Sequence, residues 1–389
     1  MTRLVFVFFM IGAVIGGCNS KPKSLDPKAA NWAGKMQGLA ADVRELVPFI
    51  YSRQAYGDPQ NGPRIKAGLK QLSEAVHSIS PEMGLGFFGN DPLVPYSLEG
   101  LQADIVRSIE AFNVGQLDYS RGVAKAAVNH CFRCHSITKD ASAGSAVAWD
   151  LTPTQLSGLS ALERVDLLVA ARRYEGATQA LESLMADKGF SQNSPFDFEG
   201  ALRKYLSLMI RTENNPERAL RELDRILEIK GIPYYVSEQA RAWRSSLLDW
   251  QKTKPVKKSK RTPMAEARAH IARAQGIQQY AKDHTGDIEY LRATALIHEF
   301  LRTTKDPKEM AEAYSLLGQA YEVLDELGYS NLHERYYESC IMTLPRSDLA
   351  KKCYGRLEAS VYMGFSGSSG VHIPLNEKTR LERLRELTN

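Results

Sequence analysis

Cys131-Phe132-Arg133-Cys134-His135 sets two thiols three residues apart with an imidazole directly after the second. On a helix that spacing brings both sulfurs to one face, where they reach the two vinyl groups of a single porphyrin. The adjacent histidine is then placed to ligate the iron from the same side. Cys-x-x-Cys-His is the pattern of covalent c-type haem attachment. Two other chemistries use paired cysteines. A redox disulfide needs a thioredoxin-like βαβ setting, and none is visible. A zinc site needs a second Cys/His pair at ligand spacing, and the sequence has none. The expected cofactor is therefore one covalently attached haem c, with Cys131 and Cys134 as its thioethers and His135 as the proximal iron ligand.

Such attachment takes place outside the cytoplasm, and the N-terminus carries matching signals. Arg3 is followed by the apolar run Leu4–Ile15 and by Gly16-Gly17-Cys18, which is the grammar of a secretory signal. The run falls short of the roughly 20 apolar residues of a spanning helix. Ile15-Gly16-Gly17-Cys18 resembles the lipobox of bacterial lipoproteins. That resemblance implies a signal peptide over 1–17, acylation of Cys18 and a membrane anchor through it, followed by a polar tether over 18–26. It also implies a lipid-anchored protein of the cell envelope facing the periplasm. Because Asn19 is not an aspartate, the outer membrane is expected over the inner.

The motif must be held by helices. Trp32, Met36, Leu39, Val43, Leu46 and Ile50 follow a strict 4-3-4-3-4 spacing, and Ile65, Leu69, Leu72, Val76 and Ile79 follow the same alternation. A third stripe opens after Pro95, with Ser97 as expected N-cap, through Leu101 and Ile105 to Phe112. A fourth runs from Leu117 through Val123 and Ala127 into Cys131. One apolar stripe per helix is what a four-helix bundle buries centrally, and residues 27–140 are read as that bundle. With the motif in its last helix, the arrangement resembles the cytochrome c-prime family. The family covers the second haem face with its first helix, which makes Met36 the candidate distal ligand through its thioether. Members usually end soon after the motif, whereas this chain continues. His77 beside Val76 is read as half-exposed, and His130 lies too close to the motif to reach the far face. His270, His284, His298, His333 and His372 are scattered and are not read as ligands.

Beyond a linker at 141–158, helical periodicity resumes over 159–251. Ala177, Leu181 and Leu184 recur as Ala219, Leu223 and Ile226, each pair 42 residues apart. A repeated helix–turn–helix of such a period is the signature of an α-solenoid. A basic linker at 252–262 separates this stretch from a second one at 263–363. There Ala311, Ala313, Tyr314, Leu317, Ala320 and Tyr321 mark one helix face. The small-residue and tyrosine pattern resembles tetratricopeptide repeats, which implies docking of a redox or structural protein partner of the envelope. Residues 364–389 are read as a flexible Gly/Ser loop and a short charged helix. Cys340 and Cys353 lie 13 residues apart on successive helices around Pro345. They are expected to pair in a compartment that permits oxidation.

The 389 residues carry 50 basic and 45 acidic side chains, a formal charge of +5. Lys252, Lys254, Lys257, Lys258, Lys260 and Arg261 account for that excess within one linker. A basic stripe of the kind that binds nucleic acid is absent, so no nucleic-acid partner is expected. No nucleophile–base constellation or phosphate loop stands out, which favours an electron carrier or scaffold over an enzyme. The sequence thus predicts an all-α chain, a four-helix haem bundle followed by an α-solenoid of tetratricopeptide-like repeats. Its expected role is electron transfer or haem-based sensing. The alternative is an envelope scaffold lipoprotein in which the haem is ancillary.

Overall fold

Apolar stripes at helical spacing bury themselves against one another, and the N-terminal part of the fold follows from four of them. The structure, a computed structural model, describes residues 27–80, 88–137, 152, 158–253, 262–324 and 331–389. The signal segment, Cys18, most of 141–158 and the basic run from 254 lie outside the described residues. Among the described residues the chain is all-α apart from one two-stranded ribbon. Helix α1 spans Pro27–Ile50 and leads through the short α2, Arg53–Gly57, to α3, Gly62–His77. Helix α4 is Leu93–Asn113 and α5 is Leu117–His135. Trp32, Leu39, Val43, Leu46 and Ile50 from α1 are buried with Ile65, Leu69, Leu72 and Val76 from α3. Leu101 and Ile105 of α4 and Ala127 and Val128 of α5 complete this core.

Helix α4 departs from expectation at its start. It begins at Leu93, and Pro95 sits within its first turn, where backbone N–H groups have no intrahelical acceptor to lose. Asp91 Oδ1 accepts the Leu93 N–H at 3.0 Å, and Ser97 is buried inside the helix instead of capping it.

The second part consists of consecutive helices packed in pairs, each pair against the next. They are α6 Ala161–Ala170, α7 Tyr174–Ala186, α8 Lys188–Asn193 and α9 Pro195–Ser207, the last prolonged by a π turn over Leu208–Thr212. Next come α10 Pro216–Leu227, α11 Tyr234–Thr253, α12 Pro263–Ile277 and α13 Asp287–Leu301. Then follow α14 Pro307–Tyr321, α15 Leu332–Thr343, α16 Asp348–Gly364 and α17 Leu375–Glu386. The 42-residue repeat extends to the backbone: the turn into α7 holds Arg172 at φ 56° and the turn into α10 holds Asn214 at φ 49°. Helix α14 buries the expected face of Ala311, Ala313, Tyr314, Leu317, Ala320 and Tyr321 and more besides, because α12, α13, α15 and α16 all pack on it. Lys308 is left exposed, and Glu312 and Gln319 half-buried. Where a loose Gly/Ser loop was expected, Ser366–Gly367 (β1) pairs antiparallel with Gly370–Val371 (β2). Cys340 and Cys353 are bonded to each other across α15 and α16, with Cα atoms 6.4 Å apart.

The two cores interlock. Leu93 and Ile137 are buried in the core of the second part, while Leu167 and Ala170 of α6 are buried in that of the first. A loop before α4 makes the second connection. Gly89 has φ +58°, and a Cβ there would overlap the carbonyl oxygen of Leu301; only glycine meets both conditions. Asn90 offers its carbonyl to the Tyr314 hydroxyl at 2.6 Å. Asp91 is buried beyond it, its Oδ2 accepting from His298 Nδ1 at 2.5 Å and its Oδ1 from Tyr336 Oη at 2.8 Å.

Candidate functional site

Helix α5 carries Cys131, Cys134 and His135 to the seam between the cores. Cys131 packs against the first and Cys134 against the second; neither is in a disulfide, and both are half-buried. All three residues line one cavity of about 330 Å³, at the lower end of the ~300–1,000 Å³ typical of small-molecule sites. Helix α1 contributes Trp32, Met36 and Leu39 to its wall, and α4 contributes Val94 and Leu101. Phe88 closes another side, its ring edge-on to Trp32 with centroids 6.1 Å apart. The cavity thus brings together the four residues singled out from sequence: Cys131, Cys134, His135 and Met36.

The imidazole of His135 is oriented by the second part of the fold. Its Nδ1–H donates to the carbonyl of Ala170 at 2.7 Å. That carbonyl belongs to the last residue of α6, where helix carbonyls lack intrahelical donors. Donation through Nδ1 fixes the tautomer in which Nε2 carries the free lone pair, the arrangement that metal-binding histidines adopt. Burial, with the Arg172 guanidinium adding, pushes the His135 pKa down to about 3, so the ring is neutral at pH 7. The Tyr174 hydroxyl donates to the His135 carbonyl at 2.9 Å, closing the end of α5. Burial also pushes the Cys131 thiol up to about 12, with Cys134 adding. A thiol of that pKa is overwhelmingly protonated at neutral pH, which slows disulfide formation.

His130 lies on the same wall but is committed elsewhere. It is buried with its Nε2 2.7 Å from Asp104 Oδ2. Burial alone would raise the Asp104 pKa, but His130 and Arg107 outweigh it and hold the carboxyl below its ordinary value. A Cβ at Gly100 would overlap the His130 ring, so the close approach of α4 and α5 depends on that glycine. His77 is exposed at the end of α3, more so than expected. His270, His284, His298 and His333 are buried, and each has a side-chain partner in the second part or, for His298, in Asp91 as well.

Three contributors escaped the sequence reading: the Ala170 carbonyl, Arg172 and Arg44, all on the cavity wall. A backbone carbonyl leaves no mark on residue type. Arg172 left one, because the 42-residue alignment sets it opposite Asn214. Asparagine tolerates the left-handed conformation that arginine seldom adopts. No helix among the described residues is long and apolar enough to cross a membrane. Comparison with protein-family models, with curated proteins and with solved structures returned no match.

Proposed function

We propose that this chain is a lipid-anchored, monohaem c-type cytochrome of the cell envelope, serving electron transfer or haem-based sensing. Its first four long helices would form a cytochrome c-prime-like bundle, and the helices from α6 onward a tetratricopeptide-like region that docks an envelope partner. The observation that carries this reading is the convergence of Cys131, Cys134, His135 and Met36 on one largely apolar cavity, with His135 Nε2 left free by the bond at Nδ1.

The residues present fit the group. Cys131 and Cys134 would each add S–H across one vinyl double bond, forming a C–S bond with no leaving group and no external oxidant. His135 would bind iron through Nε2. Met36, half-buried on the wall, would offer its thioether as the sixth ligand. Trp32, Leu39, Phe88 and Leu101 would exclude water from the macrocycle. When bound, haem supplies one-electron Fe(III)/Fe(II) chemistry, and burial and axial ligands tune its potential. Cys18 would anchor the chain to the outer membrane; stable anchoring takes more than one acyl chain.

Absorption spectra of the exported protein, oxidised and reduced, test the reading. Haem bands that survive denaturation and solvent extraction are expected, and Cys131→Ser with Cys134→Ser should abolish them. Met36→Ala should turn a low-spin spectrum high-spin and lower the reduction potential. A high-spin wild type would remove Met36 as ligand, and extractable or absent haem would remove the cytochrome reading.

A further inference from the structure

We infer that Arg172 binds a carboxylate of the haem, so that the helical-repeat part completes the cofactor site begun by α1, α4 and α5. The inference rests on the haem reading and adds the anion-binding subsite. Arg172 follows α6 directly, and two bonds define the turn: Arg172 N–H to the Val169 carbonyl at 2.9 Å and Arg173 N–H to the Leu168 carbonyl at 2.8 Å. These close a Schellman motif with Arg172 at the left-handed position, φ 56°, where glycine or asparagine is favoured. A long β-substituted side chain at such a place calls for a reason beyond the turn itself.

The cavity supplies the reason. Its described lining carries two guanidinium groups, Arg44 and Arg172, and no carboxylate. Arg44 is exposed at the rim, whereas Arg172 is half-buried between the two cores. A porphyrin that enters thiols-first against α5 brings two carboxylates, and an ionised carboxylate taken out of water must be paired. Guanidinium is the side chain suited to it, since its planar fork can donate two hydrogen bonds to one carboxylate. The same turn already engages the proximal side: Ala170 accepts from His135 Nδ1, and Tyr174 donates to the His135 carbonyl. One three-residue corner of the repeat part would therefore fix both the ligand imidazole and the anionic edge of the cofactor.

A simpler role competes. A cation at a helix C-terminus is favourable in its own right, and that role would affect stability alone. The two differ in what the haem reports. The other charged or titratable groups around the site are Arg44 from α1, Asp104 from α4, His130 and His135 from α5, and Tyr174 from α7. Of these, His135 feels the Arg172 charge. The Tyr174 hydroxyl, which Glu213 also faces, is hydrogen-bonded by Arg172. The pH inflection of the carboxylate, and not the potential alone, therefore separates the two roles.

The test uses the full-length, haem-loaded protein. Arg172→Asn removes the charge while keeping a residue that tolerates the turn, and Arg172→Lys keeps the charge. Reduction potential is followed against pH for each, with Arg172→Gln as a second charge-removing variant should the asparagine form fail to fold. Losing the cation leaves a carboxylate negative charge uncompensated near the iron. The ferric form is then favoured and the potential falls. The inflection belonging to that carboxylate should move up by about one pH unit or more, and Arg172→Lys should largely restore both. Wild-type potentials at every pH in Arg172→Asn or Arg172→Gln, with only thermal stability altered, would overturn the inference in favour of the helix-end role. A wild type without covalent haem would instead overturn the cytochrome reading and this subsite with it.

Discussion

The two parts of the molecule bury their polar groups differently. In the first, the core is mostly aliphatic, and a cavity remains between α1, α4 and α5. Its buried polar bonds are few and local to facing helices: His130 with Asp104, and Ser120 with Tyr56 and Ser108. In the second, charge and hydroxyl are taken fully inside: Arg203 Nε donates to Asp287 Oδ2 at 2.9 Å, and Arg211 reaches Thr294 and Tyr321. The rings of Tyr321 and Tyr336 stack with centroids 5.5 Å apart beside His298. Buried polar networks of this kind hold one arrangement because any other leaves a donor or charge unpaired. The second part thus holds one arrangement through buried polar bonds, whereas the first leaves a cavity lined by the candidate site. They meet at Asp91, which among the described acidic residues of the first part is the one that enters the polar interior of the second.

The largest test of that contrast is Asp91→Ala. It strands His298 and Tyr336 without their acceptor, a loss of about 3–5 kcal/mol for a broken buried charged network. Unfolding followed by circular dichroism and by tryptophan fluorescence should split into two transitions, the first part melting earlier. A single transition at the wild-type midpoint would mean that Asp91 does not join the two parts. Next in size is the bond between Cys340 and Cys353. Closing a loop of that length is worth roughly 3 kcal/mol, so Cys340→Ala with Cys353→Ala should lower the transition of the second part alone. An equal fall in both parts would show them to be one cooperative unit.

The smallest expected effect is acid sensitivity within the second part. His270 is buried, which holds its pKa below the ordinary value; its bond to Glu289 opposes this, while Arg292 and Arg273 add to the lowering. Glu266 faces the ring as well. A histidine depressed in the folded state contributes stability that is complete above its unfolded value near 6.5. That contribution is lost as pH falls through the folded value. Stability should therefore decline below about pH 6.5 with a slope of at most about 1.4 kcal/mol per pH unit. His270→Gln should flatten that slope; an unchanged slope would assign the acid response to other groups.

Periodicity made much of this legible. The stripe from Trp32 to Ile50 is buried along α1 apart from half-buried Met36, because a 3.6-residue repeat is a property of local sequence. The 42-residue recurrence likewise falls on turns in which Arg172 and Asn214 share a left-handed backbone, though the second turn is closed from a π turn and the first from an α-helix end. The candidate site was legible as residue types, through the motif and one methionine. Its closure was not. Asp91 stands in a Gly/Pro-rich connection and its partners lie 207 and 245 residues away, so no local pattern can announce it. The start of α4 was misplaced for the same reason: the side chain that satisfies Leu93 N–H is chosen by the docking of that loop.

These separations also set a timetable. At a synthesis rate of roughly 5–20 residues per second, the 35 residues from His135 to its acceptor at Ala170 follow within about 2–7 s. The 207 residues from Asp91 to His298 take about 10–40 s at the same rate. A chain that emerges N-terminus first, from the ribosome or across a membrane, therefore gains the corner that steadies His135 early, while the Phe88–Pro92 loop waits for α13, α14 and α15. Until those helices are in place Asn90 and Asp91 lack their partners, so the loop that carries Phe88 to the cavity wall is the last of its neighbours to be seated.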